Sequence, residues 1–96
     1  MDQPLLTEPY YVYLACCANG TLYVGSTRNV EQRIAVHNAG RGGRYTRSNR
    51  PLSLVAAWPF NSKAEALQAE RTLKRLSPSH KLALAESLSA LEEEEV

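Results

Sequence analysis

Two short stretches near the start of the chain, Tyr10 to Cys17 and Thr21 to Ser26, are rich in β-branched and aromatic residues. Such residues fit a pleated, half-buried surface, and Ala18-Asn19-Gly20 between them predicts a hairpin turn. Register decides what the hairpin can do. A two-residue Asn19-Gly20 turn pairs residue 16 with 23 and sends Tyr13 and Tyr23 to opposite faces. A three-residue loop, with Gly20 left-handed in a bulge, pairs 17 with 21, 15 with 23 and 13 with 25. Both tyrosines then share a face, across from the small residues Ala15 and Gly25. The three-residue loop is the expected one, because only it builds a shared site.

The next periodic segment is helical. Asn29 can cap it while Gln32 reaches back from the third position, and Gly40 supplies a left-handed stop after Asn38-Ala39. Val30 and Ile34 form its apolar stripe. Arg33 and His37, four apart, flank that stripe and can both point along the sheet edge. Arg41 to Arg50 has two glycines, four arginines and no apolar period, and reads as an exposed loop. Leu52 to Trp58 reads as a third strand that stops at Pro59. Ser62-x-x-Glu65 is a capping box for a second helix of about 63–76, with Ala66, Ala69, Leu73 and Leu76 facing inward and Glu70 adjoining them. Ser77-Pro78 restarts the chain as a third helix to about Leu88. Mutual repulsion should fray the end, Glu92 to Glu95.

These elements predict an α+β (α/β) sandwich, a three-stranded antiparallel sheet flanked by three helices. Ninety-six residues suffice for one domain, with a core of about residues 10–82 and an acidic tail at 91–96. Composition, 44% apolar and 22% charged, is that of a globular protein. No apolar run approaches the ~20 residues of a bilayer span, so no membrane partner is expected. Met1 to Pro4 lacks the basic start and apolar centre of a signal peptide. Cys16 and Cys17 are adjacent, without the spacing of a disulfide framework or zinc site. A reducing cytoplasm is the expected compartment.

A net charge of +1 conceals a strong asymmetry. Residues 28–50 carry Arg28, Arg33, Arg41, Arg44, Arg47 and Arg50 against Glu31 alone, whereas the last eleven residues hold Glu86 and Glu92 to Glu95 and no base. A basic centre beside an acidic tail fits a polyanion-binding surface. The tail could fold back on residues 41–50 and compete with nucleic acid.

Tyr11-Val12-Tyr13, Tyr23-Val24-Gly25, Arg33-x3-His37 and then Glu70, in this order, resemble the GIY-YIG nuclease domain, in its small stand-alone form. The resemblance covers roughly residues 10 to 82. Tyr11 stands where the family's first motif begins with glycine, and Val24 replaces isoleucine in the second. The resemblance implies a phosphodiester-cleaving endonuclease in which Tyr13 and Tyr23 are the motif tyrosines and Gly25 the motif glycine. It makes Arg33 the catalytic arginine that clamps the phosphate, His37 its companion, and Glu70 the ligand of a single Mg²⁺ or Mn²⁺. Tyr23 is the candidate general base and Tyr13 orients it or the water. A phenol with pKa near 10 is only ~0.1% ionised at pH 7, so the site must stabilise a phenolate. One carboxylate binds Mg²⁺ weakly until substrate phosphate and waters complete its octahedron. No counterpart of the family's asparagine stands out, with Asn38 and Asn49 as the candidates.

Each residue also has an ordinary reading. The tyrosines can be packed for their rings, Arg33 can be a solvated helix arginine, and His37 a satisfied packing residue. Glu70 can simply pair with Arg33, Arg71 or Lys74. For nucleic acid, Arg28, Arg41, Arg44, Arg47 and Arg50 supply charge and Tyr45 a ring on which a base can stack, with Gly25 as a further expected contact. No recognition helix is evident, so single-stranded or branched DNA ranks above intact duplex. The expected function is DNA cleavage in repair or recombination, with specificity intrinsic or borrowed from a protein partner. The alternative is a catalytically inactive nucleic-acid-binding module or repair adaptor. RNA fits the same groove.

Overall fold

The structure, a computed structural model, describes residues 9–95, with side chains described as far as residue 87. Strands β1 (Tyr10–Cys16) and β2 (Leu22–Thr27) form the first hairpin. Cys17 N–H donates to the Thr21 carbonyl at 2.8 Å, Gly20 N–H to the Cys17 carbonyl at 2.9 Å, and Gly20 has φ +90°. The loop is thus the three-residue type, and Tyr13 pairs with Gly25 and Ala15 with Tyr23.

Helix α1 (Val30–Asn38) starts where the Asn29 side chain accepts from Gln32 N–H at 3.0 Å. The reciprocal contact expected from Gln32 is replaced: Thr27 Oγ1, closer along the chain, accepts the Asn29 N–H at 3.2 Å. At the other end Gly40 N–H bonds the His37 carbonyl and Arg41 N–H the Val36 carbonyl, both at 3.0 Å. That pair of bonds, with Gly40 at φ +86°, is a Schellman stop.

Residues 41–50 are not an irregular loop throughout. Arg44–Ser48 form a one-turn helix, α2, pinned because Thr46 turns inward and is 1% exposed. The third strand, β3 (Ser53–Phe60), begins one residue late and runs through Pro59 instead of stopping there. The sheet order is β2-β1-β3, so β3 is an edge strand and can hold a proline without breaking the ladder. Helix α3 (Lys63–Arg75) is capped by Ser62, whose hydroxyl accepts from Glu65 N–H at 3.1 Å. Helix α4 (Pro78–Glu95) is longer than the sequence suggested, its backbone helical past Leu88 into the acidic residues. The side chains of Glu92 to Glu95 lie outside the described set, and with them the fold-back expected of the tail.

All three strands are antiparallel, with β1 in the centre. Alternation along β1 divides the interior in two. Val12 and Leu14 join Val24, Ala56, Ala66, Leu73 and Ala85 on the α3–α4 side. Tyr13, Ala15 and Cys17 join Leu52 on the other, packed by Val30, Ile34 and Tyr23. Asn38 ties the second layer together: its side chain accepts from Leu52 N–H at 2.7 Å and donates to the Leu52 carbonyl at 3.1 Å.

Candidate active site

The shared register sets Tyr13 and Tyr23 side by side, with ring centroids 6.2 Å apart and planes tilted by 44°. His37, from the last turn of α1, meets the Tyr23 ring edge-on at 5.2 Å. Its Nε2 lies 3.2 Å from the Tyr13 hydroxyl, and its Nδ1 lies 2.9 Å from Thr46 Oγ1. The Thr46 hydroxyl in turn lies 3.1 Å from the Gly43 carbonyl. Strand β1, helix α1 and helix α2 are therefore joined by one buried polar chain. Close approach requires glycine twice. A Cβ on Gly25 would lie 2.5 Å from the Tyr13 hydroxyl, and one on Gly42 would run into the His37 ring.

In front of this chain is a cleft of about 510 Å³ lined by Tyr23, Thr27, Arg33, His37, Arg41 and Gly42, among others. Tyr13 is shut off behind it. Burial, then the neighbouring Tyr23, pushes the Tyr13 hydroxyl up to about 12, against the opposing charge of Arg33. His37 is held below its ordinary value, first by burial and then by the Arg33 guanidinium. Both are accordingly neutral at pH 7, a phenol hydrogen-bonded to an imidazole.

Glu70 approaches from the other layer. Its Oε1 accepts from Ser26 Oγ at 2.8 Å, one residue beyond Gly25 on edge strand β2. Its charge is close enough to contribute to the rise at Tyr13. Its Oε2 pairs with Lys74 Nζ at 3.1 Å, one of the ordinary partnerships expected from sequence. The carboxylate side chain is 15% exposed and the lysine 56%. Among the described residues no group of three or more His, Cys, Asp or Glu converges. The donor set still suits Mg²⁺ or Mn²⁺, one hard carboxylate beside a hydroxyl.

The remaining candidates scatter. Arg41 lines the cleft, whereas Arg28 lies over the Tyr10 ring with its guanidinium carbon 5.3 Å from the centroid. Arg44 and Arg47 are exposed on α2, and Arg50 packs its guanidinium against Gly40. Tyr45 is 50% exposed, but its hydroxyl is tied at 2.6 Å to Thr21 in the β1–β2 turn. Asn38 bonds the Leu52 backbone through both ends of its amide, and Asn49 donates to the Tyr45 carbonyl at 2.9 Å. Cys16 and Cys17 are free thiols, and no described helix is long and apolar enough to cross a membrane. Thr46 and Ser26 escaped the sequence reading. Gly42-Gly43 ahead of Thr46 was the one local hint that backbone closes on a neighbour there.

Two tyrosines on one face of a three-stranded sheet, an arginine and a histidine on the helix packed over them, and a glutamate from the helix of the opposite layer define a class of small nuclease-type domains. The chain belongs to the GIY-YIG family: the family's catalytic-domain model matches residues 9–83. This places it in a nuclease superfamily, and so among domains that bind DNA. It is 47% identical over 77 residues to a UPF0213 protein of Staphylococcus haemolyticus, covering 80% of this chain and 94% of that one. To a UPF0213 protein of Natronomonas pharaonis it is 49% identical over 76 residues, covering 79% and 89%. The solution NMR structure of the protein EF2693 from E. faecalis superposes with a TM-score of 0.61 at 29% identity, covering 88% and 90%.

Proposed function

We propose that this protein is a divalent-metal-dependent endonuclease that hydrolyses phosphodiester bonds in single-stranded or branched DNA, in repair or recombination. The observation that carries the reading is the cleft in which Tyr23 and His37 meet Arg33 and Arg41. Tyr23 borders solvent there, where an attacking water has access, and acts as the general base. Tyr13 is buried and resists ionisation, which suits an orienting role rather than proton abstraction from water. Arg33 receives the scissile phosphate, a task for a planar donor that stays charged at every working pH. Arg41 extends that positive floor toward α2, where Arg44, Arg47 and the Tyr45 ring meet flanking nucleotides. Glu70, with Ser26 beside it, would hold Mg²⁺ or Mn²⁺ once Lys74 releases Oε2. When bound, the cation supplies charge stabilisation for the departing oxygen. Water adds to phosphorus as the bond to the 3′ oxygen breaks, leaving a 5′-phosphate and a 3′-hydroxyl. A protein partner would supply specificity beyond the groove, and the cytoplasm is the proposed compartment.

Labelled single-stranded, branched and duplex DNA with Mn²⁺ tests this directly, with the wild type compared against Arg33→Ala and Glu70→Ala. Metal-dependent cleavage lost in both variants is the expected result. Cleavage that survives both would place the activity elsewhere. One observation favours a second reading, a binding module or repair adaptor without catalysis: both Glu70 oxygens are already engaged, one of them by a lysine. DNA binding without cleavage under any metal would establish that alternative.

A further inference from the structure

The Tyr13–His37–Thr46 chain has only one arrangement of protons that uses all of its contacts. The Gly43 carbonyl can only accept, so the single Thr46 hydroxyl proton points to it across 3.1 Å. Thr46 Oγ1 is then an acceptor toward His37, and the 2.9 Å contact requires a proton on Nδ1. A neutral imidazole with Nδ1–H carries a lone pair on Nε2, and the Tyr13 hydroxyl 3.2 Å away must donate to it.

We propose that Thr46 is a positioning residue that fixes His37 in the Nδ1–H form, aiming the Nε2 lone pair at the Tyr13 proton. The consequence is directional. Tyr13 can pass its proton to His37 as its oxygen takes another from the cleft side, so the phenol is not left ionised, and Thr46 then accepts from the imidazolium formed. With the opposite tautomer, Nε2–H would point at Tyr13 and the path would be closed. A wrong tautomer in a catalytic dyad can cost several orders of magnitude in rate, so local hydrogen bonding decides function here.

Burial and packing support a built feature. Thr46 is 1% exposed in an otherwise exposed turn of helix, and Gly42 leaves the space that lets the ring and hydroxyl approach. The charged and titratable groups around His37 are Tyr13 on β1, Tyr23 on β2, Arg33 on α1 and Arg41 in the loop after it. Glu70 on α3 acts on Tyr13 through its charge. Arg33 disfavours the imidazolium, in the same direction as burial.

The catalytic part of the proposal rests on the nuclease reading, whereas the tautomer can be measured without it. Long-range proton–nitrogen NMR of the imidazole should show Nδ1–H in the wild type and in Thr46→Ser. The Nε2–H form should grow in Thr46→Val, which keeps the shape of the side chain, and amide dispersion in the same spectra reports folding. Cleavage across pH 5–9 should show kcat falling about 10- to 100-fold in Thr46→Val, with KM little changed and Thr46→Ser near wild type. A proton-transfer group is worth about 10²–10⁴-fold, and the hydroxyl acts through one. Gly42→Ala, which presses on the ring rather than removing its partner, should likewise lower kcat. An Nε2–H ring in the wild type, or no tautomer change in Thr46→Val, overturns the hydrogen-bond assignment. A switched tautomer with unchanged kcat overturns the positioning role. A wild type that cleaves nothing ends the nuclease reading and the catalytic role together, while the NMR result still decides the tautomer.

Discussion

The Tyr13 hydroxyl stands 2.5 Å from where a Cβ on its cross-strand partner Gly25 would be. The glycine of the second motif is therefore the space through which the tyrosine of the first crosses β2 to reach His37. Gly25→Ala must push the phenol or the strand aside. Overpacking of this kind costs about 1–3 kcal/mol. We expect a lowered urea midpoint and loss of the Tyr13–His37 hydrogen bond. A midpoint equal to that of the wild type would mean that the phenol has somewhere else to go.

Tyr13 should be among the last tyrosines to ionise. Its value of about 12 in the fold exceeds that of an exposed phenol near 10. The unfolded chain thus loses this proton first as pH rises. Below pH 10 both states keep it and the stability contribution is intact; between 10 and 12 that contribution is lost, up to about 3 kcal/mol. Urea unfolding at pH 9 and 11 should show a steeper decline for wild type than for Tyr13→Phe. Equal declines would remove Tyr13 as the cause.

Most of the scaffold was legible because it is written in local chemistry. Gly20 and Gly40 needed left-handed turns, Asn29 and Ser62 needed helices to cap, and strand alternation fixed which side chains share a face. Tyr13, Tyr23, Arg33 and His37 could be brought together because their order and spacing resemble the GIY-YIG motifs, and that resemblance also favoured the hairpin register. Thr46 could not. Its role depends on a loop folding back nine residues to an imidazole, and nothing within its own segment announces burial. The same holds for Ser26, which meets Glu70 from 44 positions away. Pro59 misled in the other direction, because whether proline ends a strand depends on whether that strand lies at an edge.

His37 makes the fold sensitive to mild acid. Burial and Arg33 hold it below its ordinary value, so on falling pH the unfolded chain takes up the proton before the folded one does. Its contribution is complete above about pH 6.5 and is lost as pH falls through the lower folded value. Folding stability should drop between pH 7.5 and 5 more steeply in the wild type than in His37→Gln. Parallel pH profiles would show that the imidazole does not drive the loss.

Glu70 and Lys74 should separate stability from metal use. An i,i+4 pair with an exposed lysine is worth only about 0.3–0.5 kcal/mol, so Lys74→Ala should barely move the urea midpoint. The lysine nevertheless holds Oε2, the oxygen that the proposed cation would take. Removing it should lower the Mn²⁺ concentration for half-maximal cleavage by about twofold, the same small energy expressed as competition. Glu70→Gln keeps the shape and a carbonyl acceptor for Ser26 but loses the charge, so metal-dependent cleavage should disappear while the fold persists. Metal titrations of the three proteins on one labelled substrate decide it. Should Glu70→Gln cleave with wild-type metal dependence, the carboxylate is a structural partner of Ser26 and Lys74, and the cation is held elsewhere.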